Sequence, residues 1–497
     1  MACAPFRLNS ELSTGSSMLR FYNTLTRREE EFVPVQEKRV GMYACGPTIY
    51  AAPHIGNMRT FFLADVVHRY LEFRGYDVKF VMNLTDVDDK TIAGAKRQGV
   101  SLGEYTEPFA EILFENLDAL GIERADVYPR ATHYVPQMIE LIERLKQRGL
   151  AYEAEGSVYY DISEFPAYGK LSRVDVSAGV RGERVATDEY EKGDVRDFAL
   201  WKAARAEDHS VGAVWETPWG AGRPGWHIEC SVMSMSELGE TFDIHLGGVD
   251  LIFPHHEDEI AQSEGATGKQ FARYWLHGEF LLLEGDKMAK STGNIFTVPD
   301  LLERGVSASA IRYTFLTAHY RSKLNFTFEA LSAAAEAVRR LATTCDRLRD
   351  HSVIVHPAGD DRPVLHEAAA RALADFTAAM DDDLNTSVAL AGVHELTRRV
   401  NARLDELADR PISEAESQAA LDAFTRLDSV LGILSLADRE RRVDDELGDR
   451  VAALLNDRQQ ARAGRDFSRA DSIRQELADM GITVEDTPTG PRWSRTI

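Results

Sequence analysis

His255 and Glu259 stand four residues apart in "GGVDLIFPHHEDEIAQ" (247–262). On a helix this spacing puts an imidazole and a carboxylate on one face, where they could converge on a metal ion. His256, Glu257 and Asp258 would then point elsewhere. The same acids, as a first helical turn, would equally serve the helix dipole. Two other stretches suit phosphate chemistry. "GPTIYAAPHIGN" (46–57) has the form of a loop between a strand and a helix, where backbone amides hold phosphate or a histidine simply caps the helix. "KMAKS" (287–291) sets two lysines between "EGD" and "TGN", either to neutralise a polyphosphate or to sit in solvent.

The elements that must position these residues read as follows. Val40 to Ala44 is a short apolar strand, "RTFFLADVVHRYLEFRG" a helix stopping at Gly75, and Val78 to Thr85 the next strand. This βαβ opening predicts a parallel sheet with ligands at the carboxyl ends of its strands. From about Thr91 to Pro224, helices alternate with short strand-like pieces such as "SVYYDI", as an insertion into the sheet would. "WHIECSVMSMSELG" and "FDIHLGGVDLIF" restore the helix–strand rhythm, and after about Ser307 the chain is almost wholly helical. "VHPAGDDRP" breaks those helices as a hinge or surface loop. The tail adds "RQQARAGRDFSRADSIR", with Arg458, Arg462, Arg465, Arg469, Arg474 and Phe467, then the strand-like "ITVED". On composition that arginine stretch also fits an amphipathic helix with solvated arginines.

A chain of 497 residues exceeds one hydrophobic core. The net charge of −23 argues against a general polyanion or membrane-surface binder but leaves room for a local basic patch. The widely spaced Cys3, Cys45, Cys230 and Cys345 fit a reducing cytosol better than a disulfide framework. No apolar run is long enough for a bilayer span, and the first residues lack the apolar core of a secretory signal. Met18 is a second candidate start, with residues 1–17 a flexible extension.

His54-Ile55-Gly56-Asn57 and Lys287-Met288-Ala289-Lys290-Ser291, in that order, resemble the HIGH and KMSKS signatures of class I aminoacyl-tRNA synthetases. Asn57 and Ala289 depart from the consensus; Asn57 keeps a hydrogen-bond donor and both lysines remain. The resemblance implies that His54 and Asn57 contact the phosphates of ATP while Lys287 and Lys290 clamp the pyrophosphate. It extends ATP binding to Pro47, Thr48, Gly56, Met288 and Ser291. "GGVDL" resembles the adenosine segment, with Asp250 on the ribose and Gly247 and Gly248 allowing close approach.

Cys45, after the first strand, and Cys230, in "GRPGWHIECS", should flank the same crevice as His255 and Glu259. Two thiolates, an imidazole and a carboxylate make a reasonable zinc set; buried free cysteines beside a surface His/Glu pair are the plainer reading. With "YACGPTIY", "TDVDDK", "WGAGRPGWHIECS", "FPHHEDEIAQ", "HYRS" and "DFSRADSIRQEL", the chain resembles the cysteinyl-tRNA synthetase family from about Leu19 onward. The resemblance implies one zinc on Cys45, Cys230, His255 and Glu259, bonded directly to the substrate's sulfur, and a cysteine pocket of Cys45, Thr85 and Trp226. It implies anticodon contacts from Arg462, Asp471 and Asp486, with Trp493 placed to stack on a base.

The expected fold is therefore α/β. A Rossmann-like parallel-sheet catalytic domain (18–110 and 226–275) carries a connective insertion (111–225). A stem-contact region with the lysine loop (276–335), a helical bundle (336–440) and a small anticodon-binding domain (441–497) follow. The expected activity is cytosolic ligation of L-cysteine to cysteine tRNA by a monomer using ATP, Mg2+ and zinc, with no membrane partner. A cysteine ligase of the mycothiol pathway and a non-catalytic tRNA-binding paralogue are the alternatives.

Overall fold

The computed structural model describes residues 18–174, 197–287, 295–351, 353–354, 364–463, 466–480, 482–487 and 490–495. The 1–17 extension, the 355–363 loop, and Met288, Lys290 and Ser291 lie outside these residues.

Four strands form a fully parallel sheet: β1 (Arg39–Ala44), β2 (Asp77–Met82), β3 (Phe242–Gly248) and β4 (Ala272–Gly278), in the order β4-β3-β1-β2. From β1 the chain moves to β2 on one side and later to β3 on the other, so the connections diverge between β1 and β3. In open α/β sheets that point is where ligands bind. Helix α1 (Ile55–Phe73) crosses from β1 to β2, and Gly75, at φ +81°, takes the left-handed position past its end. The second strand ends earlier than its apolar run. Asn83 to Thr85 turn away, and Thr85 pairs with the 47–49 loop through Ile49 N to Thr85 O (3.0 Å) and Thr85 N to Pro47 O (3.1 Å).

Both faces of the sheet are covered, and side-chain alternation decides which core each residue enters. Val40, Met42 and Ala44 of β1 join a core continuous with the helical bundle. Tyr43 and then Cys45 face the other layer, which they share with Cys230, Ile260 and the inserted segment. The insertion contains an antiparallel sheet built from Ala151–Ala154, Ser157–Tyr160, Phe198–Ala203 and Gly222–Pro224. Helices α2 (Trp226–Leu238) and α3 (Glu257–Thr267) return the chain to the main sheet.

Beyond the sheet lie the helices α4 (Phe328–Asp350), α5 (Val364–Asp381), α6 (Thr386–Leu407) and α7 (Glu414–Leu431). A 31-residue helix, α8 (Ile433–Ala463), follows, so the expected 440/441 boundary falls inside one element. Helix α9 (Phe467–Asp479) and a hairpin of Ile482–Thr487 with Gly490–Arg495 complete the described chain. Val451, Leu455, Ile473, Leu477 and Ile482 give this end its own small core. Among the described residues no helix is long and apolar enough to cross a membrane.

Candidate functional site

At the carboxyl end of β1 the chain turns through Gly46, whose amide donates to Asn83 Oδ1 (2.8 Å). A Cβ at Gly46 would lie 1.7 Å from the Asn83 carbonyl oxygen, so only glycine fits there. The loop ends at His54, the N-cap of α1. Its Nδ1 accepts from the amides of Gly56 (3.1 Å) and Asn57 (3.3 Å), and Asn57 Oδ1 accepts from the His54 amide (3.1 Å). The capping histidine is therefore real, and the cap uses only Nδ1 of its ring. With Nδ1 accepting, the ring proton sits on Nε2, a donor at the start of a 19-residue helix.

The chain entering and the chain leaving the lysine motif are held by backbone pairing, the leaving side at this helix start. Lys287 closes the strand Asp286–Lys287, which pairs with Leu281–Leu283. On the far side Phe296 O accepts from the Ile55 amide (2.8 Å), and Thr297 pairs with His54. Arg59 of α1 holds the neighbouring chain through four carbonyl oxygens: Glu279 (2.7 Å), Phe280 (2.8 Å), Ser322 (2.7 Å) and His319 (3.4 Å).

Gly247 and Gly248 end β3, and Asp250 is exposed just beyond. The room a side chain would need at these glycines belongs to the chain itself. A Cβ on Gly247 would be 2.6 Å from the His256 ring, and one on Gly248 2.5 Å from Asp250 Oδ1.

The strongest constellation is buried in the insertion-side layer. Cys45, Cys230, His255 and Glu259 each place one ligand atom within 4.8 Å of the others, and all four are buried. Cys45 Sγ is 3.9 Å from Cys230 Sγ and 3.8 Å from Glu259 Oε1, and His255 Nε2 is 3.1 Å from Glu259 Oε1. Tetrahedral zinc with bonds of about 2.3 Å to sulfur and about 2.0–2.1 Å to nitrogen and oxygen requires ligand separations of about 3.8 and 3.4 Å. The set fits. Burial and then Cys230 push the Cys45 thiol well above its usual range, and burial lifts Glu259 to about 7 while drawing His255 down to about 3. Each of these groups is thus driven toward its neutral form, a preference a divalent cation would reverse for the thiol and the acid.

A second set, Cys45, His245, His256 and Glu259, meets the same distance condition. It is the poorer one. His245 Nε2 already meets Glu259 Oε2 at 2.9 Å, the outer hydrogen bond expected of a ligating carboxylate. This set would also leave the Cys230 thiol unused.

His256 is a correction to the sequence reading, in which it points away. Its Nε2 lies 3.3 Å from Cys45 Sγ, because it is three residues before Glu259 and shares that face. The helix begins only at Glu257, since Phe253 is extended at φ −140°, ψ 132°. Glu257 and Asp258 are also buried, not a solvated first turn. Sequence reasoning missed His245 and His277 as well; burial draws both down to about 3. Two residues upstream of Cys45 and of His277 the alternating strand pattern was visible, and it would have placed Tyr43 and Trp275 beside the cluster.

Thr85 is buried beside the Gly46 turn, and Asn83 Nδ2 donates to its hydroxyl (3.2 Å). Cys230 sits within α2 itself, and the half-exposed Trp226 opens that helix with its ring stacked on His255 at 4.2 Å. At the far end, Arg462 and Asp471 are exposed on α8 and α9, and Asp486 and Trp493 occupy the terminal hairpin. Phe467 is exposed, whereas Arg458 is buried and not one of the solvated arginines.

Comparison with known proteins agrees with this layout. Residues 31–336 match the tRNA synthetases class I (C) catalytic domain, 375–435 the DALR domain, and 444–493 the cysteinyl-tRNA ligase anticodon binding domain. The chain is 45% identical to the cysteine–tRNA ligase of Chlamydia pneumoniae over 95% of its length and 98% of the relative's. It is 46% identical to that of Methanosarcina mazei over 96% and 99%. Among solved structures, a Mycobacterium tuberculosis methionyl-tRNA synthetase in complex with methionyl-adenylate shares the fold at TM-score 0.57 and 16% identity, over 80% of this chain and 90% of that one. A sheet whose divergence point is lined by a capped HIGH-type helix start and a buried thiol–imidazole–carboxylate cluster, joined to a matching anticodon-binding end, places this chain in the cysteine–tRNA ligase family of class I aminoacyl-tRNA synthetases.

Proposed function

We propose that this chain activates L-cysteine with ATP and magnesium and transfers the cysteinyl group to the terminal adenosine of cysteine tRNA. The observation that carries the cysteine preference is the buried Cys45, Cys230, His255 and Glu259 cluster, whose Cys45 opens the loop that leads to the His54 helix start. When bound there, zinc supplies a soft Lewis acid that favours a thiolate, which the hydroxyl of serine does not match at neutral pH. An apolar pocket alone separates such near-isosteres poorly. Thr85 and Trp226 line the same pocket, with Trp226 closing over the His255 ring.

In the first step the cysteine carboxylate attacks the α-phosphorus of ATP. A carboxyl oxygen–phosphorus bond forms, the bond to the bridging oxygen breaks, and pyrophosphate leaves. His54 donates from Nε2, and Asn57 keeps its Nδ2 as a donor while its Oδ1 caps the helix. Lys287 and Lys290 neutralise the departing pyrophosphate, and Pro47, Thr48, Gly56, Met288 and Ser291 complete the proposed ATP site. Asp250 takes the ribose hydroxyls. A terminal hydroxyl of the tRNA then attacks the carbonyl carbon and AMP leaves. No covalent enzyme intermediate is required, so rate rests on positioning and charge.

The match of 444–493 supports tRNA over an amino-sugar acceptor, which would need no anticodon end; Arg462, Asp471, Asp486 and Trp493 are the proposed contacts. Cysteine-dependent ATP–pyrophosphate exchange, run on protein whose metal content is measured, tests the reading. Zinc near one per chain with exchange on cysteine and not serine is expected. Zinc-loaded protein without exchange would refute it.

A further inference from the structure

The ring of His255 is held on its outer side by a chain of three residues that no step above uses. His255 Nδ1 faces His227 Nδ1 at 3.0 Å, His227 Nε2 faces Asp258 Oδ2 at 3.3 Å, and the Tyr168 hydroxyl donates to Asp258 Oδ1. Two facing ring nitrogens share one proton, so the chain has a direction. If His255 Nε2 gives its lone pair to a metal, its proton is on Nδ1 and is donated to His227. His227 must then carry its own proton on Nε2, aimed at Asp258 Oδ2. The remaining carboxylate oxygen accepts from Tyr168, and each donor meets one acceptor. The opposite direction would put a proton on His255 Nε2, 3.1 Å from Glu259 Oε1, in the place the metal needs.

Resting on the ligand set proposed above, we propose that Tyr168, Asp258 and His227 are positioning residues that fix the tautomer and tilt of His255. The inserted segment is then part of the metal site and not only a cover over it. The same segment is tied down a second way. Glu257 accepts from the amides of Gly169 (2.9 Å), Leu171 (3.1 Å) and Ser172 (2.7 Å), and makes none of the bonds of the histidine chain. The two adjacent acids of "HHEDE" therefore separate into one that docks the segment and one that uses it.

That separation supplies the test. Zinc affinity of the full-length protein is measured by competition with a chromophoric chelator, without reference to activity. Asp258→Ala and His227→Phe should each weaken zinc binding about 10- to 100-fold, the range found when an outer partner of a metal ligand is lost. The double variant should be no weaker than the worse single one, because both break one chain. Asp258→Asn keeps an acceptor oxygen for His227 and should bind close to wild type. Tyr168→Phe removes a single hydroxyl, leaves packing intact, and should bind more weakly than wild type. Glu257→Ala loosens the chain next to Tyr168, so it should lower thermal stability and weaken zinc binding no more than Tyr168→Phe does. Wild-type affinity in His227→Phe and Tyr168→Phe would overturn the proposal, and so would a loss in Glu257→Ala equal to that in Asp258→Ala. A wild-type protein that takes up no zinc would overturn the ligand set itself, an outcome distinct from zinc-replete wild type with indifferent variants.

Discussion

At the level of single residues, Cys230→Ala removes one of two thiols from a cluster with no spare donor of its kind. Zinc content should fall to a small fraction of one per chain, and the KM for cysteine should rise at least about tenfold in the exchange assay. Among the buried rings around this cluster, His277 bonds His256 on one side and Thr24 Oγ1 (2.8 Å) on the other. Burial holds it at about 3, against about 6.5 in an unfolded chain. Between those values the unfolded chain binds a proton that the folded one refuses. Its contribution is therefore complete above pH 6.5 and is lost as pH falls toward 3. From pH 7 to 5 this should remove on the order of 2 kcal/mol, read as a shift in urea midpoint, and His277→Gln should flatten that dependence. His255 and Glu259 were legible because helical spacing pairs them. His256 was not, because its direction depends on where the helix starts, which the extended Phe253 decides.

Among the elements, the turn from β1 into the His54 loop is set by Gly46, packed against backbone and not against a side chain that could move. Gly46→Ala should separate the ends of β1 and β2. Since a misplacement of about 1 Å at a reacting group can lower the rate about 100-fold, kcat for exchange should drop by that order, with a lower melting temperature. The βαβ opening, the return through α2 and β3, and the helical second half all follow from periodicity, and each is present. Alternation along β1 already sends Cys45 to the face opposite Met42 and Ala44. What periodicity could not supply is the early end of β2. The pairing of Thr85 with the 47–49 loop is a long-range contact, and it brings Thr85 beside the loop that follows Cys45.

For the molecule as a whole, one buried cation fastens regions distant in sequence. Arg312 is fully buried. It pairs with Asp65 of α1 (2.6 Å) and donates to Leu431 O at the end of α7 (2.6 Å), and to Gly121 O (3.0 Å) and Leu120 O (3.3 Å). Arg312→Met leaves those acceptors unmet in the interior. It should cost about 3–5 kcal/mol in denaturant titrations, with the catalytic sheet and bundle unfolding together. Helix α8 has a different consequence. Ile433 and Leu436 belong to the large core and Val451 and Leu455 to the small terminal one, so two cores share a rod about 46 Å long. A shared rod fixes a phase as well as a distance: each residue gained or lost between Leu436 and Val451 would turn the terminal unit by about 100°. The stretch contains no proline, and at Gly448 an added Cβ would touch nothing. Gly448 is thus the residue of this stretch with the weakest helical preference, and Gly448→Ala should stiffen the rod that joins the two cores.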